Sequence, residues 1–369
     1  MSTSESLVLH KNVRERFLSL ETVECLVTYV WIDQTGENLK NKTRTLDKEP
    51  VGISDIPEWE TTSVENDSIQ EVYLVPARMF RDPFLRDPNK MVLCEVFNRN
   101  RQPAVSNQRS KCSVVMKHVM GFEPWFGMEQ EFTLFHPDGR PFGWVTDGSE
   151  PEPVSCCVGF NKVFGRDVSI CHYKACLYAG IKMFGTNSED LPSQWEFQVG
   201  PCEGIEMGDH LWMSRYILHR VCEDFGLVAS LDVVPVKSIH VTSGCHVNFS
   251  TKEMRSEGGL RYIEEAIEKL SKRHHQHLQV YDPRQGRDNM SRLISHSTTS
   301  SFTHFSSAVA ERNVSVRIPG LVSRRGCGYL EDRRPASNCD PYTVTAALIE
   351  TCLLDSLEQE EETRVTTEL

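Results

Sequence analysis

Residues 25–33 alternate apolar and polar side chains and predict a strand, with the Gln-Thr-Gly-Glu of residues 34–37 as the turn that follows. Residues 42–46, 73–75 and 91–97 are further strand candidates, so the chain to about residue 104 reads as β-rich. Residues 60–70 are polar without periodicity and read as a loop. Ahead of these, Val13, Phe17 and Leu20 at spacings of four and three predict a short helix over 11–20.

From about residue 104 the pattern becomes mixed. Residues 129–134 and 194–199 read as strands. Pro192 and Pro201 bound the second, so Gln194, Glu196 and Gln198 share one face and Trp195, Phe197 and Val199 the other. Residues 209–225 predict a helix with Leu211, Leu218, Cys222 and Phe225 on one face, Asp209 as its cap and Gly226 as its stop. Residues 262–274 predict another, with Ile263, Ala266, Ile267 and Leu270 as the apolar stripe. The cluster His274, His275 and His277 has metal-ligand chemistry but reads better as a solvated helix end. Residues 342–357 predict the last helix, and Glu358, Glu360, Glu361 and Glu362 a frayed acidic tail. No internal repeat is visible.

Composition narrows the class. The chain has 369 residues, 39% hydrophobic and 25% charged, the proportions of a soluble globular protein of about two domains. A net charge of −12 argues against non-specific nucleic-acid binding. No apolar run reaches the roughly 18 residues of a membrane span, and the first ten residues lack the pattern of a signal peptide. The 13 cysteines are scattered, odd in number and without a C-x-x-C pair, which predicts reduced thiols, a cytoplasmic location and no zinc framework.

Candidate chemistry lies in the carboxylates. Glu129 and Glu131 stand two apart on a strand and point to the same side. With Glu189, Glu196, His246 and Glu331 they offer a hard or borderline ligand set suited to a pair of Mg or Mn ions. The competing reading is an acidic, solvated sheet face; a buried carboxylate needs a cation or a proton.

Trp125-Phe-Gly-Met-Glu-Gln-Glu, residues 187–204, Gly208-Asp-His-Leu-Trp, Cys245-His246 and Glu331-Asp-Arg-Arg-Pro together resemble the eukaryotic-type (class II) glutamine synthetases, over about residues 29–354. The resemblance implies an α+β fold: an arm (1–24), a small β-grasp-like N-terminal domain (25–104), and a larger catalytic domain (105–369) with a curved antiparallel sheet and flanking helices. It implies an ATP-dependent glutamate–ammonia ligase working through γ-glutamyl phosphate. It also implies a homodecamer of two stacked pentameric rings, with each site shared between neighbours. By the same resemblance Glu131, Glu189 and Glu196 bind one divalent ion, and Glu129, His246 and Glu331 the other. Trp125, Asn248, Ser250, Arg255, Arg312, Arg317 and Tyr329 match the ATP site; His246, Arg292 and Arg333 match the glutamate site.

The departures fall on one side of the reaction. The family follows Pro-Glu-Trp with Asn-Phe-Asp-Gly-Ser-Ser, whose Asp helps bind and deprotonate ammonium; here Trp59 is followed by Glu60-Thr-Thr-Ser, leaving Glu60, Glu65 or Asp67 as substitutes. The family's flap Glu is replaced by Thr298, its Tyr before Cys-Gly-Val-Gly by Ser155, and its Asn-Gly at the glutamate amino end by Val241-Thr242. Three functions are compatible with this: a strongly impaired glutamine synthetase, a non-catalytic relative that binds nucleotide and metal and acts by assembly, including with active subunits, and a γ-glutamyl ligase for another amine.

Overall fold

A computed structural model of the chain describes residues 16–20, 22–65, 68–144, 153–159, 161–236, 241–294 and 300–354. Asp67, the flap position Thr298, the acidic tail and residues 11–15 of the first predicted helix lie outside them; residues 16–18 are helical. The chain divides into two compact units, Met1–Ser110 with Phe132–Phe197 and Asp209–Ser230, and Lys111–Glu131 with Gln198–Gly208 and Leu231–Leu369.

In the first unit, β1 (Cys25–Ile32), β2 (Leu39–Leu46), β3 (Trp59–Glu65), β4 (Ser68–Arg81) and β5 (Lys90–Phe97) form one sheet in the order β2-β1-β5-β4-β3. Its buried face is the apolar half of the alternation: Val27, Tyr29, Leu74 and Val92 are fully enclosed. Tyr29 donates its hydroxyl to the Pro57 carbonyl at 2.6 Å and meets Trp59 edge-on at 5.2 Å. The loop predicted over 60–70 is instead β3 and the start of β4, paired from Trp59↔Leu74 to Glu65↔Ser68. As an edge strand β3 needs a partner on only one side, so polar Thr61, Thr62 and Ser63 suit it without an alternating pattern.

Helices α1 (Gln108–His118), α2 (Arg166–Ala179) and α3 (Glu206–Phe225) follow. Asp209 does not cap α3: the helix starts three residues earlier, and the buried Asp209 carboxylate receives Arg109 bidentately at 2.8 and 3.0 Å. That ion pair is a tertiary contact invisible to local pattern. Gly226 stops α3 as predicted, with φ 66°.

The second sheet comprises β6 (Trp125–Phe135), β7 (Met183–Ser188), β8 (Gln194–Glu203), β9 (Val228–Ser230), β10 (Cys245–Ser250), β11 (Ser307–Val309), β12 (Val316–Ile318) and β13 (Leu330–Asp332). Its order is β11-β12-β13-β10-β6-β8-β7, with β9 on β6. β13, β10 and β6 are antiparallel neighbours, and β11 runs parallel to β12. The fold is thus α+β, with a curved, largely antiparallel sheet and flanking helices. β8 does not stop before Pro201: Gly200, at φ 125°, sits so close to β6 that a Cβ would lie 2.7 Å from the Phe126 carbonyl oxygen, and this irregular backbone carries the strand past the proline.

The later helices are α4 (Lys252–Arg255), α5 (Leu260–Lys272), α6 (His274–Val280), α7 (Arg287–Ile294), α8 (Gly320–Arg325) and α9 (Pro341–Ile349). Ile263, Ala266, Ile267 and Leu270 are buried along α5 as predicted. α9 is capped by Asp340, with Pro341 in its first turn, and passes into a π-helical turn, Glu350–Leu354. His274 and His277 are not a solvated end: α6 begins there and both rings are buried.

Buried neutral histidines make a pH prediction. Burial lowers His172, whose Nε2 lies 3.0 Å from the Ser214 carbonyl, to about 4, and lowers His277 to about 3. Unfolded imidazole titrates near 6.5, so the unfolded chain takes up protons first as pH falls. This contribution to stability is complete above that value and is lost below it, on the order of 1.4 kcal/mol per pH unit for each ring. The urea midpoint is expected to drop clearly between pH 7 and pH 5; an unchanged midpoint contradicts this account.

Candidate functional site

Strand register builds the site. Across β10 and β6, His246 pairs with Glu129 and Asn248 with Gly127; across β10, β13 and β12, Asn248 pairs with Glu331 and Glu331 with Arg317. Because side chains alternate, this face collects Glu129, His246, Asn248, Glu331 and Arg317, while Met128, Val247, Asp332 and Val316 share the other face.

Glu129, His246 and Glu331 each bring one ligand atom into a group whose members all lie within 4.8 Å of one another. His246 Nδ1 is 3.7 Å from Glu129 and 3.8 Å from Glu331. Burial, then Arg333, push His246 well below its usual pKa, so the ring is neutral. Two carboxylates and a neutral imidazole suit a Mg- or Mn-type ion, and the donors fit the group that the resemblance implies. Glu331 is further held by Arg333 at 2.6 Å and Arg317 at 3.0 Å, while Glu129 accepts the Asn248 amide at 2.8 Å. These cationic and polar contacts answer the cost of burying Glu331, which is 3% exposed.

Arg292 is buried against the same histidine. One of its terminal nitrogens lies 3.2 Å from His246 Nε2, and it donates to the carbonyls of Arg333 and Arg334, both at 3.1 Å. Burial lowers its pKa only to about 10, so it stays charged at neutral pH. Gly244 leaves room for this packing: a Cβ would lie 2.5 Å from the Arg292 guanidinium and 3.0 Å from His246, so the guanidinium would have to shift. The Gly244 N–H also donates to the Glu131 carboxylate at 3.1 Å.

A second group gathers at the far end of the same strand pair, where Ser250 faces Trp125. Arg255 lies over the Trp125 ring at 3.9 Å and donates to Ser250 Oγ at 3.0 Å. The half-exposed Trp125 leaves aromatic surface open beside this charge, and Tyr329, near Glu129 and Arg317, is half-exposed as well. Arg312 meets the site through its carbonyl, which accepts from Arg333 Nε at 2.8 Å. In the other unit Glu189 accepts from Asn187 at 2.7 Å, and Glu196 is buried, its carbonyl taking the Thr186 hydroxyl at 2.7 Å.

The comparisons with known proteins agree with this geometry. Residues 109–278 match the glutamine synthetase catalytic domain. The chain is 54% identical over 364 residues to glutamine synthetase of Canis lupus familiaris, covering 96% of this chain and 97% of that protein. It is 56% identical over 362 residues to glutamine synthetase of Xenopus laevis, covering 96% and 92%, and 54% identical over 364 residues to that of Homo sapiens, covering 96% and 97%. The chain belongs to the glutamine synthetase family. Glu129, His246 and Glu331, singled out from the sequence, are brought together by the fold as one group that could hold a metal ion.

Sequence reasoning missed several residues that shape this glutamine synthetase-type site. Gly244 and Asn289, whose side chain supports Arg292 and the Arg334 carbonyl, carry no motif signal of their own. Asp332 and Arg334 were readable only through the strand period, which sends them to the opposite face from Glu331. Among the described residues no helix is long and apolar enough to cross a membrane, and all 13 cysteines are free thiols.

Proposed function

We propose that this chain is a glutamine synthetase whose nucleotide and metal half is intact and whose ammonia half is strongly impaired. The observation that carries the first part is the cluster of Glu129, His246 and Glu331 enclosed by Arg317, Arg333 and Arg292. Such a site suits phosphoryl transfer, which depends on positioning and charge neutralisation. Mg or Mn, held by Glu129, His246 and Glu331 and by Glu131, Glu189 and Glu196, would neutralise the phosphates of bound ATP. Arg317 and Arg312 would orient those phosphates, Arg292 and Arg333 the glutamate carboxylates, and Trp125, Asn248, Ser250, Arg255 and Tyr329 the nucleotide.

The second part rests on the stretch after Trp59. It lacks Asn-Phe-Asp-Gly, β3 continues straight through it, and Glu60 is exposed on that edge strand. Thr298 adds no carboxylate at the flap. This favours, as the second reading, a relative that binds nucleotide and metal without turnover and acts by assembly, alone or with active subunits.

The sheet of residues 25–97 supports an N-terminal domain over 25–104, after an arm at 1–24, ahead of a catalytic domain over 105–369. By family likeness we place the protein in the cytoplasm as a homodecamer of two pentameric rings. The deciding experiment combines binding and turnover on purified protein. Mn with ADP together is expected to raise Tm, since ligands that bind only the native state stabilise it by mass action. ATP-dependent glutamine formation is expected to be slow. A Tm unmoved by Mn and ADP overturns the metal–nucleotide assignment, and a monodisperse monomer by light scattering overturns the decamer. Turnover with another amine, absent with ammonia, marks an altered γ-glutamyl ligase.

A further inference from the structure

β13 has a second face, and it leads away from the site. Asp332 and Arg334 are fully buried behind the strand that carries Glu331. Asp332 pairs in register with Val247 and Val316, among apolar side chains. Arg334 grips its carboxylate with Nε at 2.8 Å and a terminal nitrogen at 2.6 Å, and Tyr281 donates its hydroxyl to the same carboxylate at 2.7 Å.

The polarity of every bond beyond Tyr281 follows from elementary donor counting. The carboxylate is ionised beside Arg334, so the Tyr281 hydroxyl hydrogen is used on Asp332. His277 Nδ1, 2.6 Å from that phenol oxygen, must therefore donate to it. In the neutral ring Nε2 then has no hydrogen and accepts from Thr351 Oγ1 at 2.8 Å. A second arm is fixed in the same way. Arg334 donates to His274 Nδ1 at 3.3 Å, which leaves His274 Nε2–H to donate to the Phe302 carbonyl at 3.1 Å.

We propose that Thr351, His277, Tyr281 and Asp332 form a one-directional hydrogen-bond relay that holds β13 from behind and so positions Glu331 and Arg333. The relay starts in the π-helical turn after α9, crosses α6 and ends on the strand. Its side chains lie behind β13, and it reaches Glu331 through the backbone of Asp332. Its effect on metal binding rests on the function proposed above; its effect on β13 does not.

The test uses Tyr281→Phe and Thr351→Val, which remove one hydroxyl each with little change of volume, and Thr351→Ser, which keeps the hydroxyl. Two readouts are taken on the full chain: hydrogen–deuterium exchange of residues 329–335, and Mn affinity by electron paramagnetic resonance titration. Tyr281→Phe and Thr351→Val are each expected to speed exchange in that segment about tenfold over the rest of the chain and to weaken Mn binding by a similar factor, the scale of one lost buried hydrogen bond. Thr351→Ser is expected to change neither. The double variant should go no further than Tyr281→Phe alone, because the relay is already cut. Exchange in 329–335 that rises no more than elsewhere, or a Thr351→Ser variant as impaired as Thr351→Val, overturns the relay. If the unmodified protein binds no Mn, the function proposed above fails while the exchange measurement still decides the relay.

Discussion

Glutamine formation by this chain is expected to run about 10²–10⁴-fold below that of a glutamine synthetase with an intact ammonium loop and flap, the usual worth of one positioned proton acceptor. A base acts only within about 3 Å of the proton it takes, and the carboxylates that remain near Trp59 are held otherwise. Glu60 is exposed on β3, its backbone carbonyl bound by Lys42 and its residue registered against Tyr73. Thr298 offers no carboxylate to accept a proton. The two losses need not multiply, because residues acting as a unit are not additive. ATP binding is expected to survive, since Arg317, Arg333 and the cluster around His246 are in place. The check is ligase turnover and nucleotide affinity for the unmodified chain and for a variant carrying Thr298→Glu with Asn-Phe-Asp-Gly restored after Trp59. Turnover near the general enzyme median of about 10 s⁻¹ in the unmodified chain is incompatible with this reading. A restored variant that gains nothing moves the blame to Val241-Thr242 or Ser155.

The second large effect is on stability. Asp332→Ala is expected to destabilise the fold by about 3–5 kcal/mol, because it strands the Arg334 guanidinium in the interior rather than merely deleting one favourable contact. Burial alone would raise the Asp332 pKa, but the charge and hydrogen bonds of Arg334 outweigh it and lower the value below the usual carboxylate range. A depressed carboxyl contributes stability that is complete above its unfolded pKa of about 3.9 and lost as pH falls through the folded one. Urea unfolding of Asp332→Ala at pH 7 measures the effect. A loss below about 1 kcal/mol, the scale of a surface ion pair, sinks the claim. Replacing Asp332 and Arg334 together by apolar residues of similar volume should cost less than Asp332→Ala, since neither charge is then left alone.

Much of the site was legible in the chain because strand period does so much of the placing. Glu129 and Glu131 could be put on one side of β6 from their spacing alone, and the motif around Glu331 pointed to the same chemistry. The strand after Trp59 was not legible: Thr-Thr-Ser carries no strong alternation, and what makes it extended is the ladder to β4 rather than its own preference. Asp209 had the chemistry of a cap but is claimed by Arg109, about a hundred residues earlier in sequence. His274 and His277 looked like a polar helix end because local sequence cannot show that Thr351, Arg334 and Phe302 arrive from elsewhere to bond them. In each case a long-range partner decided the outcome.

The order Glu331-Asp332-Arg333-Arg334 has a bearing on which mutations the gene tolerates. Loss or gain of one residue in this strand would shift the whole alternation and present Asp332 and Arg334 where Glu331 and Arg333 now stand. Both faces would still hold one acid and one base, so net charge and pairing would hide the error. The acid beside His246 and Glu129 would, however, be a methylene shorter, and the longer Glu331 would be forced into a compartment shaped for Asp332. Single-residue insertions and deletions here should therefore be far rarer among working sequences than the chemical similarity of the four residues suggests, while exchanges that keep the frame are judged one face at a time.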